Sequence, residues 1–293
     1  MKTVNSLSGG KTSSYIAANY KADYNVFALV RTNDKKCLWL NGKDEKTRQI
    51  VSDKIGQEFI GTLEEDTIIY TILDLEQFIG QKIDWVTGKT FDEVIFDKGK
   101  NAQIYLPQAN MRFCTQEMKL KPIFNWWKKN INEVVEMRIG FRANEQRRAN
   151  SMMEKLDDNG VLSYKDVIGK SKNGNRNKWG EIAWQKPTFP LIDNVIFKDK
   201  IVNYWKDKPV RFAWVNNCVG CMMASPYYLK HQHNKNQNKI EWFIEQEKKS
   251  FKMGMQRTWR IDGLTYEKII AKNIQTELFD DDFNECDSGH CGL

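Results

Sequence analysis

Ser8-Gly9-Gly10-Lys11-Thr12-Ser13 puts two glycines, a lysine and three hydroxyls into six residues. Glycines let a backbone come close to an anion, and a helix that starts at such a turn offers unpaired N–H groups and the positive end of its dipole. Ser8, Thr12 and Ser13 add hydroxyl donors, so the hexapeptide is a candidate phosphate cradle. It lacks the four residues that a Walker A loop needs between its first Gly and Gly-Lys. The competing interpretation is an ordinary glycine turn before a helix.

A second group is Asn216-Asn217-Cys218-Val219-Gly220-Cys221. A CxxC pair presents two thiolates to one metal, and Gly220 permits the tight turn between them. Completing a four-sulfur set takes Cys114 and one of Cys286 or Cys291. The chain has only three histidines (His231, His233 and His290), which favours sulfur ligands. Four thiolates suit either Zn²⁺ or an Fe–S cluster, and spacing does not separate the two. Cys114 lies between Arg112 and Lys119, cations of the kind that lower a thiol's pKa and fit it for ligation or nucleophilic attack. A third group, Gly140-Phe141-Arg142-Ala143-Asn144-Glu145 with Arg148, offers two guanidiniums able to grip phosphate or sulfate through paired hydrogen bonds. Glu145 is positioned to hold either arginine.

These residues need a scaffold, and the apolar pattern predicts one. Strands are expected over 3–7, 25–30, 67–73 and 134–139, and helices over 13–21, 44–55, 75–83 and 114–130. The cradle then joins the first strand to the first helix, and Arg142 follows a strand's carboxyl end, where doubly wound sheets bind ligands. The alternation predicts an α/β fold: a doubly wound, mostly parallel sheet with helices on both faces and a helical C-terminal part. Lys119–Pro122 is expected in the first turns of its helix, where proline is tolerated. Further helices are expected over 197–205, 227–250 (one long helix or a pair) and 266–274. The predicted divisions are a nucleotide-binding core over 1–156, an inserted flexible loop over 157–186 rich in glycine and lysine, a mainly helical part with the CxxC over 187–278, and a cysteine-containing tail over 279–293.

Ser-Gly-Gly-x-x-Ser after the first strand resembles the loop of the PP-loop ATP pyrophosphatases, the adenine nucleotide alpha hydrolase superfamily. That superfamily usually carries Asp where Thr12 stands. Arg112-Phe113-Cys114-Thr115 with Lys119-x-x-Pro122, Gly140-x-Arg142-x-x-Glu145-x-x-Arg148 and Phe189-Pro190-Leu191 are similar to segments of its phosphoadenosine phosphosulfate (PAPS) reductase-like branch. The resemblance implies an enzyme that binds ATP with Mg²⁺ and adenylates an acceptor, releasing pyrophosphate, in cluster-assisted sulfur transfer. Ser8–Ser13, Arg112 and Lys119 would hold the nucleotide, and Lys11, Arg142 and Arg148 would stabilise its charge. It also implies a [4Fe–4S] cluster, in preference to zinc, on Cys114, Cys218, Cys221 and Cys286, with Cys291 as the alternative fourth ligand or a free nucleophile. His290-Cys291-Gly292-Leu293 resembles the C-terminal Cys-Gly-Leu of sulfonucleotide reductases. A PAPS or adenylyl-sulfate reductase served by a thioredoxin-like reductant is therefore the alternative activity. A non-catalytic nucleotide-binding module with structural zinc is the third.

Composition bounds these readings. The 293 residues carry 45 Lys+Arg against 38 Asp+Glu, a net +7, and 41% hydrophobic residues, enough for a sizeable core and too many for a disordered chain. No run approaches the roughly 18 apolar residues of a spanning helix, so no membrane partner is expected. The six cysteines are too few for a disulfide scaffold. The N-terminal residues lack the pattern of a secretory signal, and the expected compartment is the cytoplasm. The net positive charge, the lysines between Lys165 and Lys186, and Trp179 and Trp184 point to nucleic acid as a candidate substrate, with a sulfur donor as a further partner.

Overall fold

The computed structural model describes residues 1–96, 103–171, 173–214, 217–255 and 257–272. Its centre is a six-stranded sheet in the order β3-β2-β1-β4-β6-β5. The strands are β1 (Thr3–Leu7), β2 (Tyr24–Ala28), β3 (Ile83–Val86), β4 (Val135–Arg138), β5 (Leu162–Lys170) and β6 (Asn177–Thr188). All neighbours pair in parallel except β5, which runs antiparallel to β6 at the edge. The fold is α/β and its strand order is Rossmann-like. Chain order departs in opposite directions from β1, to β2 on one side and β4 on the other, which makes the β1–β4 boundary a topological switch point.

Alternation along the strands sorts the core. Leu7, Phe27, Ile83 and Trp85 pack with Tyr15 and Ile16 of α1 (Lys11–Asn19), with Ile68, Ile69, Ile72 and Leu75 of α3 (Thr67–Ile79), and with Ile201 and Trp205 of the helix Lys198–Trp205. Val4, Val26, Ala28, Val135 and Met137, of opposite parity, pack with Phe124 and Trp127 of a later helix and with Met152. Remaining helices are α2 (Glu45–Ile55), α4 (Phe91–Phe96), α5 (Phe113–Thr115), α6 (Lys121–Asn130), α7 (Gln146–Met153), α8 (Pro190–Asp193), α9 (Lys198–Trp205), α10 (Pro226–Lys235), α11 (Gln237–Lys252) and α12 (Tyr266–Ala271). A third core gathers Leu229, Trp242, Phe243, Trp259 and Tyr266 around Phe91, Cys37 and Cys114. No helix among the described residues is long and apolar enough to cross a membrane.

Three expectations need correction. Residues 67–73 form the start of α3, not a strand, and the helix expected over 75–83 is the end of that same element, since Ile83 already opens β3. Ile68, Ile69, Ile72 and Leu75 recur with helical period, and their burial outweighs the strand preference of isoleucine. The flexible loop expected over 157–186 is instead mostly the β5–β6 hairpin, and β6 continues into the sheet through its pairing with β4. Trp184, expected as a stacking face, is buried against Phe124 and Trp127. Pro122 does lie in the first turn of its helix, α6, while Lys119 falls in the π-helical segment Gln116–Leu120 that precedes it; a proline that cannot donate a backbone hydrogen bond is tolerated there. The tail cysteines Cys286 and Cys291, and the division 279–293, lie outside the described residues.

Phe124 is fully buried and stacks on Tyr164 at 4.3 Å, joining α6 to the hairpin. Phe124→Ala should lower the unfolding free energy by about 3–5 kcal/mol, read from the urea midpoint at unchanged slope.

Candidate functional site

The turn after β1 is held by its own hydroxyls. Ser8 N–H donates to Ser13 Oγ at 3.1 Å, the two hydroxyls lie 3.0 Å apart, and Ser13 Oγ donates to the Gly10 carbonyl at 3.2 Å. Ser8, Thr12 and Ser13 are buried, as are Gly9 and Gly10, so these side chains shape the turn from within. Gly9 has φ +79°, and a Cβ there would lie 2.6 Å from Ile68 Cγ2, so the chain passes where only glycine fits. Gly10 caps α1 in extended geometry without a side-chain cap, and the first turn holds no acidic residue to offset the positive end of the helix. Lys11 is half-buried, its carbonyl accepting a 2.9 Å bond from Trp205 Nε1.

The turn after β4 meets this one across the switch point. A Cβ on Gly140 would lie 3.4 Å from Thr12 Cγ2 and 3.5 Å from Ser13 N. Arg142 follows, buried, with its Nε donating to Glu145 Oε2 at 3.0 Å. Glu145 also accepts from Arg142 N, completing a reciprocal cap, and from Arg148, whose guanidinium lies 4.5 Å from the centre of the Phe141 ring. Glu145 thus holds both arginines, as the spacing suggested. Two guanidiniums share this one carboxylate beside the turn.

Cys114, Cys218 and Cys221 line one cavity of about 50 Å³, together with Arg112, Lys119, Met118 and Asn217. The CxxC turn is closed by a bond from Cys221 N to Cys218 O at 3.1 Å, and Gly220 is obligatory because a Cβ would sit 2.3 Å from Phe243 Cδ2. Tyr266 Oη donates to Gly220 O at 3.1 Å. Burial pushes the Cys114 thiol up to about 11 and the Cys218 thiol well above its ordinary value, and it raises Cys221 as well. Lys119 and Arg112 oppose this without overcoming it, which corrects the expectation of a lowered Cys114 pKa. Neutral thiols suit this cavity, and a cation arriving there would favour thiolates. No three His, Cys, Asp or Glu among the described residues stand together as a ready-made metal site. The donor chemistry fits a soft metal or cluster.

Lys119, expected on the nucleotide, is an ion-pair member in this cavity. Its Nζ lies 2.8 Å from Glu64 Oε1. Burial works against its charge, but Glu64 and the neighbouring Cys218 hold its pKa above the ordinary value. Glu64 also bridges to Cys218 through the backbone, and its carbonyl accepts from the buried Lys239, whose Nζ reaches Asp66 Oδ1 at 2.7 Å as well. Ile68, against Gly9, lies only four residues beyond Glu64, a separation of at most ~14 Å along the chain. The segment carrying both residues therefore links the turn to the thiols. Glu64 and Lys239 were missed from the sequence because a carboxylate in Glu64-Glu65-Asp66 and a lysine on a polar helix read as solvated charges. Arg31 was missed too. It is buried just past β2, donating to Thr87 Oγ1 at 2.7 Å and Gly88 O at 3.0 Å, and burial lowers its pKa.

No family model, no curated protein and no solved structure matches this chain.

Two outcomes follow from this geometry. Gly9→Ala should destabilise the protein by about 2–4 kcal/mol, through strain at positive φ and the contact with Ile68. Adding Ile68→Ala should relieve the contact alone, so a double-mutant cycle in urea should show positive coupling. The second outcome concerns Glu247, which accepts from Trp259 N and Tyr266 N behind the CxxC turn, and which burial holds up at about 7. Its folded pKa exceeds the unfolded value, so its protonated form favours the fold. Stability should be full below about pH 4 and fall by on the order of 3 kcal/mol as pH rises through 7. In Glu247→Gln the urea midpoint should lose that part of its pH dependence.

Proposed function

We propose that the chain is an ATP-binding enzyme of the PP-loop superfamily, on its PAPS reductase-like branch, with a doubly wound core and a helical C-terminal part. Its reaction is adenylation of an acceptor in cluster-assisted sulfur transfer. The observation that carries this reading is the meeting of two glycine turns, Ser8–Ser13 and Gly140–Arg142, at the switch point, where open α/β sheets bind ligands. The start of α1, which has no side-chain cap, favours the anionic tail of ATP, and the Arg142–Glu145–Arg148 group sets two guanidiniums beside it.

An acceptor oxygen attacks the α-phosphorus, the bond to the β-phosphate oxygen breaks, and pyrophosphate leaves with the electron pair. A sulfur nucleophile from the donor then displaces AMP from the acceptor. Mg²⁺ would neutralise the phosphates, and a [4Fe–4S] cluster held by Cys114, Cys218, Cys221 and Cys286, or with Cys291 as its fourth ligand, would supply the sulfur chemistry. Lys11 reaches the nucleotide from α1. Lys119 and Arg112 keep positive charge beside the thiols.

The test is product analysis with ATP and acceptor present. Pyrophosphate and AMP are expected, whereas orthophosphate alone, or sulfite from a sulfonucleotide, would reject adenylation and the latter would indicate the reductase. Anaerobically prepared protein should be brown and contain iron and sulfide, and Cys218→Ala should be colourless. Zinc in place of iron would reject the cluster.

A further inference from the structure

Among the eight residues of β6 before Gln185, none pairs with β4, so β5 and β6 leave the sheet as a two-stranded ribbon some 25 Å long. The tip lies at the amino end of β6, roughly 35 Å along that strand from the end nearest Gly140. Residues 168–171 and 173–179 are all exposed. They include Trp179, 57% exposed, with Ile168 at 50%. Lys165, Lys170, Arg176 and Lys178 are exposed along the ribbon. Its acidic residues are two: Asp166 is tied to Lys128 at 2.8 Å, and Glu181 stands opposite Lys165. The ribbon therefore presents an exposed aromatic ring with cations distributed over its two faces.

At its base a cavity of about 350 Å³ opens, lined by Gln116, Tyr164, Lys165, Glu181, Trp184 and Gln185 among others. Its volume is at the lower end of small-ligand sites. Its walls combine an aromatic ring with amide and charged groups that can bond the edge of a flat polar heterocycle.

We propose that the ribbon and this cavity form a docking site for single-stranded nucleic acid. Phosphates follow Lys170, Arg176 and Lys178, one base stacks on Trp179, and one unstacked base enters the cavity. Charge complementarity selects this partner over a second copy of the chain, because a set of like cations repels its own image and lysines on an edge strand oppose strand pairing. That the bound strand is also the acceptor rests on the function proposed above; its binding here does not. The distance from the switch point makes the ribbon an anchor, so its loss should weaken binding and leave turnover of bound acceptor unchanged.

The test is fluorescence anisotropy with a labelled 20-nucleotide single strand, using the full chain. Trp179→Ala should weaken binding about tenfold. Lys170→Glu with Arg176→Glu and Lys178→Glu should weaken it at least about 100-fold at low salt and reduce the slope of log affinity against log salt by ~2. An abasic strand of equal length should bind less tightly to the wild type. Wild-type affinity in both variants, or equal affinity for the abasic strand, would overturn the site. So would a change of oligomeric state in Trp179→Ala with strand binding intact. ATP-dependent pyrophosphate release by Trp179→Ala is measured alongside. Its absence in the wild type too would reject the adenylation reading and leave strand binding to be judged by anisotropy.

Discussion

The constraint on which the rest of the structure depends is the meeting of two backbone turns across the boundary between β1 and β4. Gly140 lies at van der Waals distance from Thr12 and Ser13, and Gly9 passes Ile68 with no room for a methyl group. Parallel pairing of β1 with both β2 and β4 forces all three to end at the same edge, so the turns that follow must share that edge. A side chain at Gly9 would press on Ile68 of α3 and strain the turn that leads into α1. Ser8 and Ser13 stabilise the turn from within.

The same edge is tied to the thiols by buried charge. Glu64, Lys119, Asp66 and Lys239 form two ion pairs, and Lys239 also bonds the Glu64 carbonyl, so the formal charges balance. Buried pairs of this kind add little net stability, because desolvation offsets most of their attraction, but losing one partner strands the other. Their evident consequence is position: they fix the segment between Glu64 and Ile68, which touches the CxxC turn at one end and the glycine turn at the other. A nucleotide reaction and sulfur chemistry on one chain require such a fixed relation.

Much of this was legible in the sequence. The glycine turn, the strand before it and the helix after it follow from local pattern, and Arg142 and Cys114 sit where that pattern put them. What was not legible has physical causes. Thr67-Ile68-Ile69-Tyr70 is β-branched and apolar, and tertiary burial along a helical stripe decides its state against local preference. The hairpin was obscured because its exposed ribbon has no apolar alternation to read, although Asn173-Gly174 between two polar runs was a hairpin signal, and Gly174 does take φ +70°. The convergence of Cys114 with Cys218 and Cys221 was expected from thiol chemistry, but their raised pKa values depend on a burial that spacing does not report. Glu64 could be found only in three dimensions, since its role comes from a partner on a distant helix.

The central claim is that the backbone at the start of α1 holds the phosphates of a nucleotide. A crystal structure grown with a non-hydrolysable ATP analogue and Mg²⁺ tests it most directly. The account predicts phosphate oxygens within hydrogen-bonding distance of the amides between Gly9 and Ser13, with Arg142 or Arg148 beside them. An analogue bound elsewhere, with that turn still closed by Ile68 and the serine pair, would contradict it.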